Sequence, residues 1–371
     1  MMIPFFNYPA IYKRFESDYD RIFKDVCSRG AFILQKDLAD FEENLARYLD
    51  VHTALGVADG TNAMIIGLKA CGIGAGDEVI IASHTYIATA AAIKLVGAEP
   101  VFADIGDDYM MSAQSAESRV TARTKAIMPT QLNGRCCNMD EIFALASKHG
   151  LMVLEDSAQG LGARFKGKAA GTFGRFGTLS FYPAKLMGCF GDGGAVMTNE
   201  PEIARQLSLL RDHGRDGDGL VVDWGTNSRL DNLQAAFLDF RLTTYQEDID
   251  RRREIAGKYD EVFSKMPDLL HPPQGPSDGD HFDVYQNYEL AAENRDELRA
   301  WLEDRGIRTI IQWAGSPVHH FKELGFGKEK FDNLEMTDWF FDRCLMLPMH
   351  MALSDEDVNT IIDAIQQFYR S

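Results

Sequence analysis

Metal-binding and disulfide-forming patterns are missing from this chain of 371 residues. Its six cysteines (Cys27, Cys71, Cys136, Cys137, Cys189 and Cys344) form no CxxC pair, and no histidine stands at metal-ligand spacing beside them. Reduced thiols in a cytoplasmic protein are therefore expected, with no metal. Basic residues are outnumbered, 38 Lys and Arg against 56 Asp and Glu, giving a formal net charge of -18. Such a field repels polyanions, so no nucleic acid partner is expected, while a local pocket for one phosphate remains open. Long apolar runs are also absent. The longest, Tyr86 to Ile105, is interrupted by Lys94 and Glu99, so no membrane span is expected. The opening MMIPFFNYPAIYKRF has neither the basic start nor the apolar length of a secretion signal.

What is present is alternation. From about residue 36 helix-like stretches such as KDLADFEENLARYL, TNAMIIGLKACG and IATAAAIKLVG exchange with the strand-like HTALGVA, DEVIIAS and PVFADI. KAIMPT, MDEIFALASKHG and LMVLE repeat the order. This is the pattern of an α/β protein whose mostly parallel sheet is covered by helices on both faces. After Glu155 hairpin-like pieces follow, then long helical stretches, then the loop HPPQGPSDGDH (271–281) and a last α/β segment. A large domain over 1–250, with an N-terminal helical part, and a smaller one over 251–371 are expected.

Two glycine patterns suggest nucleotide loops, but their context argues otherwise. GIGAG (72–76) follows a helix and precedes a strand, the reverse of the Rossmann order. GARFKGKA (162–169) has P-loop spacing, yet Ala169 stands where a metal-binding hydroxyl is needed, and a hairpin turn explains it better. More informative is LMVLEDSAQG, an apolar run ending in acid. The carboxyl ends of parallel strands line the ligand crevice, which is where Asp156 would sit unless it only caps the next helix. SFYPAKLMGCFGDGGAV sets Lys185 between an apolar run and a glycine cluster. Burying an ammonium is costly and lowers its pKa, a cost that is useful when the amine is meant to react. A reactive lysine, an aspartate to hold a ring nitrogen protonated, and a phosphate cup from Gly60, Thr61 and Ser180 are the parts of a pyridoxal phosphate site.

Several blocks in fixed order carry a resemblance. VADGTNAMIIGLKACGIGAGDEVIIASHTYIATA, VLEDSAQGLGARFKGKAAGTFG, LSFYPAKLMGCFGDGGAV, GTNSRLDNLQAA and LPMHMALSDEDVNTII resemble the DegT/StrS family of sugar aminotransferases over nearly the whole chain. The resemblance implies the aspartate aminotransferase-like fold (fold type I of the pyridoxal phosphate enzymes). It also implies that Lys185 binds the cofactor covalently and that Asp156 pairs with its ring nitrogen. Gln159 would meet the phenolic oxygen and Tyr86 would stack on the ring. Gly60, Thr61 and Ser180 would hold the phosphate, and Asn227 would reach the phosphate of a neighbouring subunit, so a homodimer with a shared active site is implied. His319, Tyr182 and Arg229 are the expected substrate contacts. Two departures, Gln131-Leu132-Asn133 in place of His-Leu-Tyr and Gln35 in place of glycine, would lie on the sugar side.

The implied activity moves an amino group from glutamate, through pyridoxamine phosphate, to a nucleotide-linked keto sugar. GTNSRLD favours 3-keto over 4-keto substrates. A cyclitol ketone is the alternative acceptor. A dehydratase reading is opposed by Lys185, where such relatives have histidine, and a regulator reading by the lack of a basic DNA-reading segment.

Overall fold

The computed structural model describes residues 2–273, 279–331 and 333–370. Residues 274–278 of the expected 271–281 loop thus lie outside the described residues. Three helices, α1 (Tyr8–Arg14), α2 (Glu16–Arg29) and α3 (Lys36–Leu49), lead into β1 (Thr53–Val57). There follow α4 (Gly60–Ala70), β2 (Glu78–Ala82), α5 (Ile87–Leu95), β3 (Glu99–Ala103), α6 (Ala113–Ser118), β4 (Thr124–Ile127) and α7 (Met139–His149). Next come β5 (Met152–Val153), β6 (Glu155–Asp156), β7 (Arg164–Phe165), β8 (Lys168–Ala169), β9 (Gly177–Ser180), β10 (Gly194–Thr198), α8 (Pro201–Arg211) and α9 (Asn232–Phe263). Local chemistry sets these boundaries. Asp59 accepts the Asn62 amide at 2.8 Å to open α4, and Asn138 caps α7, which Gly150 ends in a left-handed conformation at φ 66°.

The strands run in the order β3-β2-β4-β5, and β6-β9-β10-β1 continues from it because β5 and β6 are successive parts of one stretch. The pairs β2/β3, β2/β4, β4/β5 and β6/β9 are parallel, while β10 runs against both of its neighbours. Every residue of β2 is buried, and alternate residues serve opposite faces. Val79 and Ile81 join a core with α4, α5 and α8, whereas Ile80 and Ala82 join one with α3, α7 and α9. The parallel sheet covered on both sides is therefore as the alternation indicates. GARFKGKA is the β7/β8 hairpin, turning at Lys166 and Gly167 with positive φ.

The C-terminal part holds β11 (Leu270–His271), β12 (His281–Phe282), β13 (Tyr288–Ala292), α10 (Arg295–Asp304), α11 (Glu335–Phe341), β14 (Cys344–Leu347) and α12 (Asp355–Arg370). β13 lies between β11 and β14 in an antiparallel sheet whose core takes in Leu298, Leu302, Ile361 and Ile365. Two features bear on the expected division at 250. α9 passes through it without interruption, lending Leu238 and Tyr245 to one core and Ile255 and Tyr259 to the other. Ile3, from the opposite end of the chain, bridges to Ile307 and packs into the C-terminal core.

The acid beside Asp156 is a fold keystone. Glu155 is fully buried and accepts the Gly171, Phe173 and Gly174 amides and the Gln131 side-chain amide at 2.6–2.9 Å. Burial pushes its pKa up, and these four hydrogen bonds pull the other way. Glu155→Ala would strand those donors, and we expect the thermal midpoint to fall by roughly 5 °C or more. A midpoint within about 1 °C of wild type, by calorimetry, would show that the loop over 171–174 is held by something else.

Candidate active site

The carboxyl ends of the strands bring the site together. β1 delivers the chain to Gly60 and Thr61, the first residues of α4, whose unpaired amides and positive dipole end suit a phosphate. Ser180, the last residue of β9, stands against the same corner. A Cβ on Gly60 would come within 3.1 Å of the Ser180 Cβ, so the two residues meet closely at this corner. The Ser180 hydroxyl also accepts the Tyr182 amide at 3.3 Å.

Asp156 ends β6 and is buried. Its Oδ1 accepts the Ala158 amide at 3.1 Å and its Oδ2 accepts the Thr89 hydroxyl at 2.6 Å. Thr89 is linked to Thr85 at 2.7 Å, and Thr85 to Thr130 at 2.8 Å, so three buried hydroxyls fix the carboxylate in orientation. Sequence reasoning missed this relay. Its signal is the pair of threonines four apart in SHTYIATA, Thr85 and Thr89, which a helix start places on one side.

Lys185 follows β9 on a turn closed by its own amide to the Tyr182 carbonyl at 2.8 Å. Burial draws its pKa down to about 8, with the Asp156 charge opposing the shift. Roughly one lysine in ten is then neutral at pH 7, against one in a few thousand for an ordinary lysine. Competitive acylation of the apoprotein should therefore label Lys185 with a pH profile that rises through an inflection near 8. An inflection above about 10 would mean an ordinary solvated amine.

Gln159 is half-buried, and its Oε1 accepts the Asn133 amide at 2.9 Å, which leaves the side-chain NH2 to act as donor. Asn133 is held in a left-handed conformation, φ 53°, with its own side chain on Glu289 at 2.7 Å. Tyr86 precedes α5 and is 54% exposed, and Tyr182 is 53% exposed. Both rings are thus open to a ligand.

The remaining expected residues lie outside this cluster of strand ends. Asn227 is exposed at the base of an arm over residues 212–227, bridged to Asp212. Arg229 pairs with Asp212 at 2.6 Å. His319 is fully enclosed, with Nδ1 on the Ser83 hydroxyl at 2.7 Å and Nε2 3.1 Å from Asp338, and burial lowers its pKa to about 4. It faces protein rather than an opening. Gln131 is likewise buried, tied to Glu155 and to the Cys137 amide, so the expected sugar-side role is replaced by a packing one. Gln35 is exposed ahead of α3. His319, His320 and Asp338 bring three potential ligand atoms within 4.8 Å, but the Lys328 ammonium already lies 2.9 Å from Asp338.

The donor set fits pyridoxal phosphate: an amine made reactive by burial, a fixed carboxylate and a helix N-terminus beside a hydroxyl. The family model described as the DegT/DnrJ/EryC1/StrS aminotransferase family matches residues 14–366, and the chain belongs to that family of pyridoxal phosphate-dependent enzymes. A Streptomyces venezuelae relative named dTDP-3-amino-3,4,6-trideoxy-alpha-D-glucose transaminase is 35% identical over 99% of this chain and 96% of its own. A Pseudomonas aeruginosa relative named UDP-2-acetamido-2-deoxy-3-oxo-D-glucuronate aminotransferase is 35% identical over 98% of this chain and 99% of its own. Among solved structures, S. venezuelae DesV in complex with a ketimine intermediate superposes with a TM-score of 0.95. It is 35% identical and covers 100% of this chain and 99% of that one. The aspartate aminotransferase-like α/β fold and the cofactor class are therefore those the sequence indicates.

Proposed function

We propose that the chain transfers the amino group of glutamate to a nucleotide-linked keto sugar, at the 3-keto position. The observation that carries this reading is the Lys185 amine, brought to a pKa of about 8 beside the hydroxyl-fixed Asp156 in a chain of this family. The names of the two relatives, both concerning position 3 of a nucleotide sugar, support the acceptor.

In this reading the α4 N-terminus, with Gly60 and Thr61, and the Ser180 hydroxyl bind the phosphate. Asp156 would pair with the ring nitrogen and keep it protonated, the threonine relay holding the carboxylate in place. The Gln159 amide donates to the phenolic oxygen, because the Asn133 backbone occupies its carbonyl. Tyr86 covers the ring face. When bound, the cofactor supplies a carbonyl for amines and an electron sink for the pair left by the broken C–H bond. Lys185 would hold the cofactor through Nζ and, with its amine free, would act as the base that takes a proton from the substrate carbon and as the acid that gives it back. The sugar half-reaction uses the same residues in reverse, with Tyr182 and Arg229 beside the acceptor and His319 behind Ser83.

A homodimer belongs to this reading. The arm over 212–227 exposes Leu220, Val221, Val222 and Trp224, the last at 91%, with Asn227 at its base. So many apolar side chains on one arm suit cover by a second copy. Trp224→Glu should shift the protein from dimer to monomer in light scattering at micromolar concentration, and an unchanged dimer would remove the arm from the interface. The division into a large domain ending near 250 and a small one beyond is kept for the two cores, with α9 as the element that joins them. A cytoplasmic location belongs to this reading.

Incubating the enzyme with glutamate and, in turn, 3-keto and 4-keto nucleotide sugars and an inosose tests the acceptor. Product only from the inosose would replace the nucleotide sugar by a cyclitol.

A further inference from the structure

A second recess adjoins the turn that carries Lys185. It is bounded by α1, that turn, one face of α9 and the loop after β14, and its volume is about 250 Å³. That is roughly eight times the volume of a water molecule in the liquid. Arg241, Asp248 and Arg252 all line it from α9. Arg14 and Arg241 both pair with Asp248, and Arg14 also reaches Glu247, so these four charges largely compensate one another.

Arg252 is different. It is buried and donates through Nη1 to the Tyr285 and Gln286 carbonyls at 2.9 and 3.0 Å, but no ion pair joins it to a carboxylate among the described residues. Burial pulls its pKa down to about 10, the mark of a cation short of compensation. One further buried donor in the lining residues, Arg241 Nε, has no hydrogen-bond partner among the described residues. His350 Nε2 donates to the Pro4 carbonyl at 3.1 Å, and burial lowers the pKa of its ring, so its Nδ1 is an acceptor and adds nothing for an anion. Beyond that compensated group the recess is lined by two more cations, Arg252 and Lys185, and by the unpartnered Arg241 Nε, a combination that an isolated core would not tolerate cheaply.

We propose that this recess is an oxyanion site, taking a carboxylate or a phosphate group against the part of the Arg252 guanidinium that the two carbonyls leave open. A planar guanidinium recognises either group through paired hydrogen bonds. Because Lys185 is among the lining residues, the bound acid lies against the turn that carries the reacting lysine. The proposed reaction offers two sources, the carboxylates of the amino donor and the diphosphate of the acceptor. Only these sources rest on that reading; the site itself does not.

The test is calorimetric titration of the holoenzyme with glutarate, which has both carboxylates of the donor but no amine, and with inorganic pyrophosphate. Two variants are compared with wild type. Arg252→Lys keeps the charge and loses the fork, and Ala10→Leu fills the recess from α1 without altering any charge. We expect one probe to bind wild type and both variants to weaken it by about tenfold or more. Glutarate binding assigns the site to the donor, and pyrophosphate binding assigns it to the acceptor. Failure of both probes to bind wild type, or weakening by only one of two folded variants, overturns the proposal. Should Arg252→Lys not fold, Ala10→Leu decides alone. No turnover is involved, so a failure of the aminotransferase reading leaves this result standing.

Discussion

Lys185→Ala is expected to lower turnover by more than about 10⁴-fold while leaving the fold intact and the cofactor bound without a covalent link. The two losses have one cause. In the proposed reading Lys185 would supply both the amine that attaches the cofactor and the base that moves the proton. A positioned acid–base group alone is worth about 10²- to 10⁴-fold, and the covalent role adds to it. The phosphate would be held by the α4 N-terminus and Ser180, not by the lysine, so retention of the cofactor is part of the expectation. Borohydride reduction should fix the cofactor to wild type and not to the variant. Normal turnover in Lys185→Ala would refute the assignment.

The second large effect is expected at Asp156, where a capping role and a chemical role predict opposite results for Asn. As a cap, Asp156 accepts the Ala158 amide through Oδ1, which asparagine does equally well. As the partner of a protonated ring nitrogen it must carry charge, which asparagine does not. Asp156→Asn should therefore keep the thermal midpoint close to wild type and slow the glutamate half-reaction by about 10²-fold or more, read by rapid mixing. An unchanged rate would reduce Asp156 to a turn residue.

How much of this was legible in the sequence depends on what each residue touches. β2 was plain, since EVIIA is apolar but for its first residue and a strand buried on both faces reads that way. Asp156 and Lys185 were visible as charges set at the ends of apolar runs. Glu155 was not, because nothing in the adjacent acids Glu155 and Asp156 says which faces the crevice. Strand alternation sends them to opposite sides, one to the backbone amides of 171–174 and one to Thr89. The long helical stretch that became α9 was legible, but its passage from one core into the other, across the expected division near 250, was not. Its buried positions shift from the first core to the C-terminal one, so no single apolar stripe runs through it. Gln131 and His319 read as polar residues near a site, yet their partners come from segments distant in sequence, Glu155 for one and Ser83 for the other.

The most direct test is the visible absorbance of the purified holoenzyme, first with glutamate and then with a nucleotide-linked 3-keto sugar. Glutamate should abolish the band of the lysine-bound cofactor, and the keto sugar should restore it with one equivalent of amino sugar formed. A band that ignores both glutamate and glutamine would contradict the account.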